Sequence, residues 1–232
     1  MKMSKKALSG VTMLTFALLN LIQPAFCAET GGLVPLNLKL PDAAFKGTPQ
    51  NIQTNTYTEP FPDLDKPPKP MLVPAGLKNL AKDAKLSTSD KNVTAETLAK
   101  LTDGDKEASD QGLVMLRKGT QYVQLDLGSP NEIFAIAFWH AFSSPKVYHD
   151  VVIQAADNPE FTENLRTIYN NDQDNTSNLG VGTDREYFET HLGRVIDAKG
   201  VKARCLRFYS KGSTESVLNE YLEIEVYGRP AK

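Results

Sequence analysis

Cysteine is nearly missing from this chain: its 232 residues hold two, Cys27 and Cys205. That excludes a framework of several disulfides, so the fold must rest on its core or on a bound metal. Charge of one sign is missing too, since 26 basic residues face 28 acidic ones for a formal net charge of -2. With no stretch that interleaves arginine and aromatics, nothing here points to nucleic acid. Beyond the N-terminus no apolar run is long enough to span a bilayer. Histidine is scarce, and His140, His149 and His191 are not spaced as zinc ligands are. There is no Ser-His-Asp order, nucleophile elbow or metalloprotease motif, and no pair of carboxylates stands out for glycoside cleavage. A hydrolase is the weakest of the readings, and the chain reads as non-catalytic.

What is present begins with an export signal over residues 1–27. Lys2, Lys5 and Lys6 form a basic start, residues 7–22 an apolar stretch, and residues 24–27 (PAFC) a cleavage region, with the cut expected before Ala28. The mature chain is then secreted or periplasmic and carries no transmembrane span. An uncleaved anchor is the alternative, opposed by Ser9, Gly10 and Asn20, which break the run. A lipid on Cys27 is another, opposed by the bulky Phe26 before it. Cleavage leaves Cys205 without a partner, and its place in the alternating run 203–210 (ARCLRFYS) marks a packed, inert thiol.

Residues 28–76 are rich in proline, with Pro35, Pro41, Pro49, Pro60, Pro67 and Pro68 among polar residues, and neither structural period survives there. This is an extended arm or linker. Val34, Leu36, Phe61, Met71, Leu72 and Val73 are apolar anchors that would let it lie along a surface. A spacer towards an envelope surface or a partner and a plain disordered leader are equally compatible with it.

The domain proper is expected over residues 77–229. Residues 121–127 (QYVQLDL) alternate with period 2, Gly128-Ser129-Pro130 interrupts, and residues 133–139 (IFAIAFW) are apolar on both faces, as a strand covered on two sides would be. Further strands are expected at 150–155, 165–169, 186–189, 204–209 and 222–227, with a short helical turn at 95–101. Many short strands and almost no helix give an all-β sandwich.

Five pieces follow one another: LTDGD (101–105), YVQLDLG (122–128), IFAIAFW (133–139), ARCLRFYS (203–210) and EIEVYG (223–228). In this order they resemble the coagulation factor 5/8 type C, or discoidin, family of galactose-binding-like domains, across nearly everything after residue 76. The resemblance implies an eight-stranded jelly-roll sandwich that performs no catalysis and grips a ligand, often a sugar, with loops at one end. It also implies a structural Ca²⁺ held by the Lys100 carbonyl, Asp103, Asp105, the Leu222 carbonyl and Glu223, chemistry suited to a hard cation. Two departures bear on this: Ala108 stands where relatives commonly offer a Thr oxygen, and residues 109–113 lack the Trp that often follows.

Strand direction places the site. If the strands alternate up and down, the loops at 104–120, 140–149 and 170–185 emerge together. That end offers Trp139, His140, Phe142, Tyr148, His149 and the polar cluster 170–175, including Asp172 and Asp174. Aromatic faces stack on sugar rings while His, Asn and Asp edges bind hydroxyls. For Trp139, packing at the strand end is the stronger reading; for Tyr148 and His149 both readings stand. Asp172 and Asp174 suit a cation or a solvated loop. Two functions remain: a carbohydrate-binding module, or a protein-interaction subunit of a cell-envelope scaffold strapped to its partner by the arm.

Overall fold

The structure, a computed structural model, describes residues 32–232 apart from 50, 51, 53 and 67. The expected signal peptide at 1–27, Cys27 included, lies outside the described residues. The elements run β1 (Leu33–Pro35), β2 (Leu72–Pro74), β3 (Lys78–Asn79), β4 (Lys85–Thr88), α1 (Ala95–Ala99), β5 (Val114–Leu116), β6 (Gln121–His140), β7 (Lys146–Val147), β8 (Val152–Ala156), β9 (Arg166–Asn170), β10 (Phe188–Glu189), β11 (Arg194–Ser210) and β12 (Asn219–Pro230). The architecture is an all-β sandwich, and the one α-helix among the described residues is a five-residue turn capped by the Thr94 side chain.

The two apolar runs flanking Gly128 form one strand, β6, where a turn and two strands were expected. Gly128 takes φ 80°, and its N–H is held by the Asp126 carboxylate at 2.9 Å, so the chain bends without reversing. Strand β11 follows β6 along its whole length, from Arg194 opposite Phe138 to Ser210 opposite Gln121, with register shifts between Asp197 and Val201 and between Ala203 and Cys205. Such bulges sharpen a bend. The pair folds over on itself. Phe138, near the end of β6, meets Phe208 at a centroid distance of 5.8 Å, although Phe208 is paired with Val123 near the beginning. Tyr221 closes the same space by donating its hydroxyl to the Phe208 carbonyl at 3.0 Å.

Two layers result from one eight-stranded antiparallel sheet. The second half of β6 lies between β12 and the first half of β11, with β3 and β5 on β12. The first half lies between β4 and the rest of β11, which continues into β8 and β9. Between the layers lies the core of Val123, Leu125, Ile136, Phe138, Ile153, Leu206, Phe208, Ile224 and Val226. Cys205 packs outside it with Ala156 and Phe161, and burial pushes its thiol up to about 12.

The doubly apolar stretch of β6 has a cover for each face. Ala137 and Trp139 point away from the core and pack with Phe142, Leu222, Leu113, Val195 and the arm residues Leu38 and Leu40. The arm is therefore structural: β1 pairs with β2, Leu36 N–H donates to Met71 O at 2.8 Å, and Phe61 meets Phe188 edge-on at 5.1 Å. The described residues belong to one compact unit, within which arm residues pack on the domain expected from residue 77 onwards.

Trp139 sits on Gly193, which has φ 63°, and a Cβ there would lie 2.4 Å from the indole. Gly193→Ala is expected to cost about 2–4 kcal/mol through backbone strain and overpacking. Urea unfolding of the variant should show a midpoint well below wild type; an unchanged midpoint would contradict this packing.

Candidate functional site

Because β6 folds over, its two ends and the neighbouring strand ends share one side of the sandwich. Val152 opens β8 opposite Asn170, which closes β9, and Ser210 closes β11 opposite Gln121. The loops 141–151, 171–187 and 211–218 leave from there; the first two overlap loops expected at this end, the third was not among them, and what gathers them is the bend and not an alternation of strand direction. The two-stranded pairing of β7 with β10 ties the first two loops together.

These loops enclose a cavity of about 440 Å³ whose wall includes His149, Asp150, Asn171, Asp174 and Lys211, and also Asn55 and Tyr57 from the arm. A second cavity of about 740 Å³ adjoins it, sharing Asn55, His149 and Glu186 and reaching Thr214 and Glu215. His149 Nδ1 lies 2.9 Å from Glu186 Oε1, and this contact holds the imidazole pKa above its ordinary value. Asp150 sits in the left-handed region at φ 50°, accepts from the Thr176 hydroxyl at 2.7 Å and lies 3.6 Å from Lys211 Nζ. Burial pushes its carboxyl up, against that hydroxyl contact. Hydrogen bonds from Thr176 hold Asp174 down. Asn171 is only 2% exposed; its Oδ1 accepts from Val151 N–H at 2.7 Å, while its Nδ2 has no partner.

Of the residues expected to touch a ligand, His149 and Asp174 line the cavity. Trp139, His140, Phe142 and Tyr148 do not, since all four are fully buried. Trp139 donates from Nε1 to His191 O at 3.0 Å and carries Lys106 Nζ above its ring at 4.6 Å. His140 Nδ1 faces Glu189 Oε2 at 3.1 Å, and its ring stacks on Tyr148 at 4.1 Å. The Tyr148 hydroxyl reaches Glu220 at 3.0 Å, and Phe142 packs with Trp139. Large rings at a strand end bury too much apolar area to remain in water, so the loops close over them. Asp172 is likewise buried, and its carboxylate organises its own loop by accepting from Thr176 N, Ser177 N and the Ser177 hydroxyl.

Sequence reasoning missed Asp150, placed there in a strand, and also Lys211, Glu186, Asn55 and Tyr57. Residue type gave no sign of them; Asn171 at least falls in the polar cluster 170–175.

Two acidic groupings bear on metal binding. Asp150, Asp172 and Asp174 bring carboxylate oxygens within 4.8 Å of one another. Among the described residues the expected set of Asp103, Asp105 and Glu223 forms no such group. The structure does bring the loop to the glutamate, with Gly104 N–H donating to Glu223 Oε2 at 3.3 Å. Asp103 and Asp105 spend an oxygen each on backbone N–H groups of Asp105 and Glu107, at 2.8 and 3.0 Å. Glu223 is fully buried, and its Oε1 has no partner.

No protein-family model and no curated protein matches the chain. Solved structures do. One is the CBM32 of AlyQ in complex with 4,5-unsaturated mannuronic acid, 17% identical, covering 61% of this chain and 92% of that one at TM-score 0.43. Another is CpGH89 from Clostridium perfringens with GlcNAc-alpha-1,4-galactose, 18% identical at TM-score 0.48, where 66% of this chain spans 15% of the enzyme. A third is chitosan-binding module 1 of a chitosanase/glucanase from Paenibacillus sp. IK-5, 19% identical, covering 65% and 99% at TM-score 0.42.

Burial pushes the Glu223 carboxyl up to about 9. The folded protein then holds a proton that the unfolded chain releases near pH 4.5, so in metal-free protein stability should fall as pH rises from about 4.5 towards 9. Glu223→Gln should flatten that slope in melting curves taken across the window; an unaltered slope would rule Glu223 out as its source.

Proposed function

We propose that this chain is an exported, non-catalytic carbohydrate-binding module whose ligand enters the cavity between His149, Asp150, Asn171, Asp174 and Lys211. The observation that carries the reading is the cavity wall itself, which gathers charged and amide side chains from three loops and the arm at the loop end of the sandwich. In it stand a cation in Lys211, carboxylate acceptors in Asp150 and Asp174, and the half-exposed ring of Tyr57, 52% accessible. This is the mixture of one apolar face and several edge-on polar groups that a sugar ring requires. The basic and apolar start of the sequence supports export.

A structural Ca²⁺ belongs to the same proposal. Glu223, Asp103, Asp105 and the carbonyls of Lys100 and Leu222 would hold it, and the unpartnered Glu223 Oε1 beside the 103–105 loop supports it. The cation would supply the charge that the buried carboxylate lacks. A second reading, a protein-interaction or envelope-scaffold subunit, is favoured by Leu33 and Leu72, which are 64% and 58% exposed on the β1–β2 pair.

Residues 28–232 should bind at least one member of a glycan array that includes galactose, N-acetylglucosamine, glucosamine and mannuronic acid. Lys211→Met removes the cation of the cavity wall and should weaken binding about tenfold, the worth of roughly one good hydrogen bond. An array without any bound glycan, together with co-purification of a fixed protein partner, would replace this reading with the second. For the cation, chelator should lower the melting temperature of wild type and leave Asp103→Ala unmoved; equal melting of wild type with and without chelator removes the Ca²⁺.

A further inference from the structure

We propose that arm residues 54–59 are a specificity-determining part of the binding site, dividing it into two adjoining subsites that together take an oligosaccharide of at least two sugar units. The inference rests on the carbohydrate reading and deepens it. The two cavities meet on Asn55, His149 and Glu186, and these three form a tied ridge. Asn55 Nδ2 donates to Glu186 Oε2 at 2.9 Å, the Thr58 hydroxyl donates to the same oxygen at 3.2 Å, and the other oxygen faces His149 Nδ1 at 2.9 Å. Both Glu186 oxygens are engaged, so this carboxylate fixes the ridge. Each cavity alone lies within the range of about 300–1,000 Å³ that small ligands fill.

The arm is held where a wall has to be rigid. Thr58 bridges to Glu186 in parallel, Glu59 N–H donates to Glu186 O at 2.8 Å, and Arg185 donates to Thr58 O at 2.6 Å. Arg194 clasps the Glu59 carboxylate with two nitrogens, both at 2.9 Å, and neither residue lines either cavity. A two-pronged contact of this kind fixes direction as well as distance. Held so, Tyr57 stands in the wall of the first cavity without the ordering cost that a loose segment would incur on binding. The second cavity places Ser213, Thr214 and Glu215 within reach of a neighbouring sugar. A single terminal sugar would use one side of the ridge; a chain crossing it uses both.

Isothermal titration of residues 28–232 with the monomer and the tetramer of galactose, N-acetylglucosamine, glucosamine and mannuronic acid tests this. The tetramer of the sugar that binds should do so at least tenfold more tightly than its monomer, beyond the factor of about four that repeated units give statistically. Tyr57→Ala should lose at least tenfold for the tetramer, and Tyr57→Phe, which keeps the ring, should retain the affinity. Glu59→Ala lines neither cavity and only releases the arm; it should bring the tetramer-to-monomer ratio down towards four or less. Equal affinity of monomer and tetramer, or wild-type binding in both Tyr57→Ala and Glu59→Ala, overturns the inference while the carbohydrate reading stands. Absence of binding by wild type to every glycan of the array and panel overturns both.

Discussion

Everything in this sandwich depends on both faces of β6 being covered at once. Its second half is apolar on either side, with Ile136 and Phe138 facing one way and Ala137 and Trp139 the other. A strand of that composition is unstable with one face in water, since each large side chain left exposed forfeits about 1.5–3 kcal/mol. The core covers the first face by the folding of β6 and β11 over themselves. The arm, with Leu38 and Leu40, covers the second. One requirement thus produces the bend at Gly128, the gathering of loops at one end and the docking of a segment whose composition resembles a linker.

The binding end follows from the same closure. Rings at the strand ends are drawn under the loops, where His140 stacks on Tyr148 and lies tilted against Tyr221, and the surface above them is left to shorter polar groups. His149, Asp150, Asn171 and Lys211 come from three loops that only the folded sheet brings together. Their electrostatics are those of partly buried neighbours: Glu186 raises the His149 pKa, and burial raises that of Asp150. Glu186 serves at once as partner of the imidazole and as anchor of the arm, so the protonation of His149 and the position of Asn55 are linked through one carboxylate.

Much of the fold was legible before any coordinates. Period-2 alternation at 121–127, the apolar run at 133–139 and the closing strand at 222–227 all lie in strands, and Cys205 is packed away. The site was legible only in part. A hydropathy pattern distinguishes buried from exposed faces, but it cannot say which of two rings at a strand end a loop will cover. Trp139 and Tyr148 were therefore drawn towards the ligand by their chemistry and away from it by their area. Tyr57 escaped because a proline-rich context carries no period from which burial or exposure can be read.

By itself the sequence determined the class of fold and where most of the strand-forming runs lie, because these depend on local periodicity and on turn residues close in the chain. Only the tertiary structure decided that Gly128 bends β6 instead of ending it, that the arm is the outer cover of Trp139, and that Asn55 and Tyr57 stand beside Asn171. Those are contacts between residues far apart in sequence, set by which apolar faces find one another, and no local pattern encodes the partner.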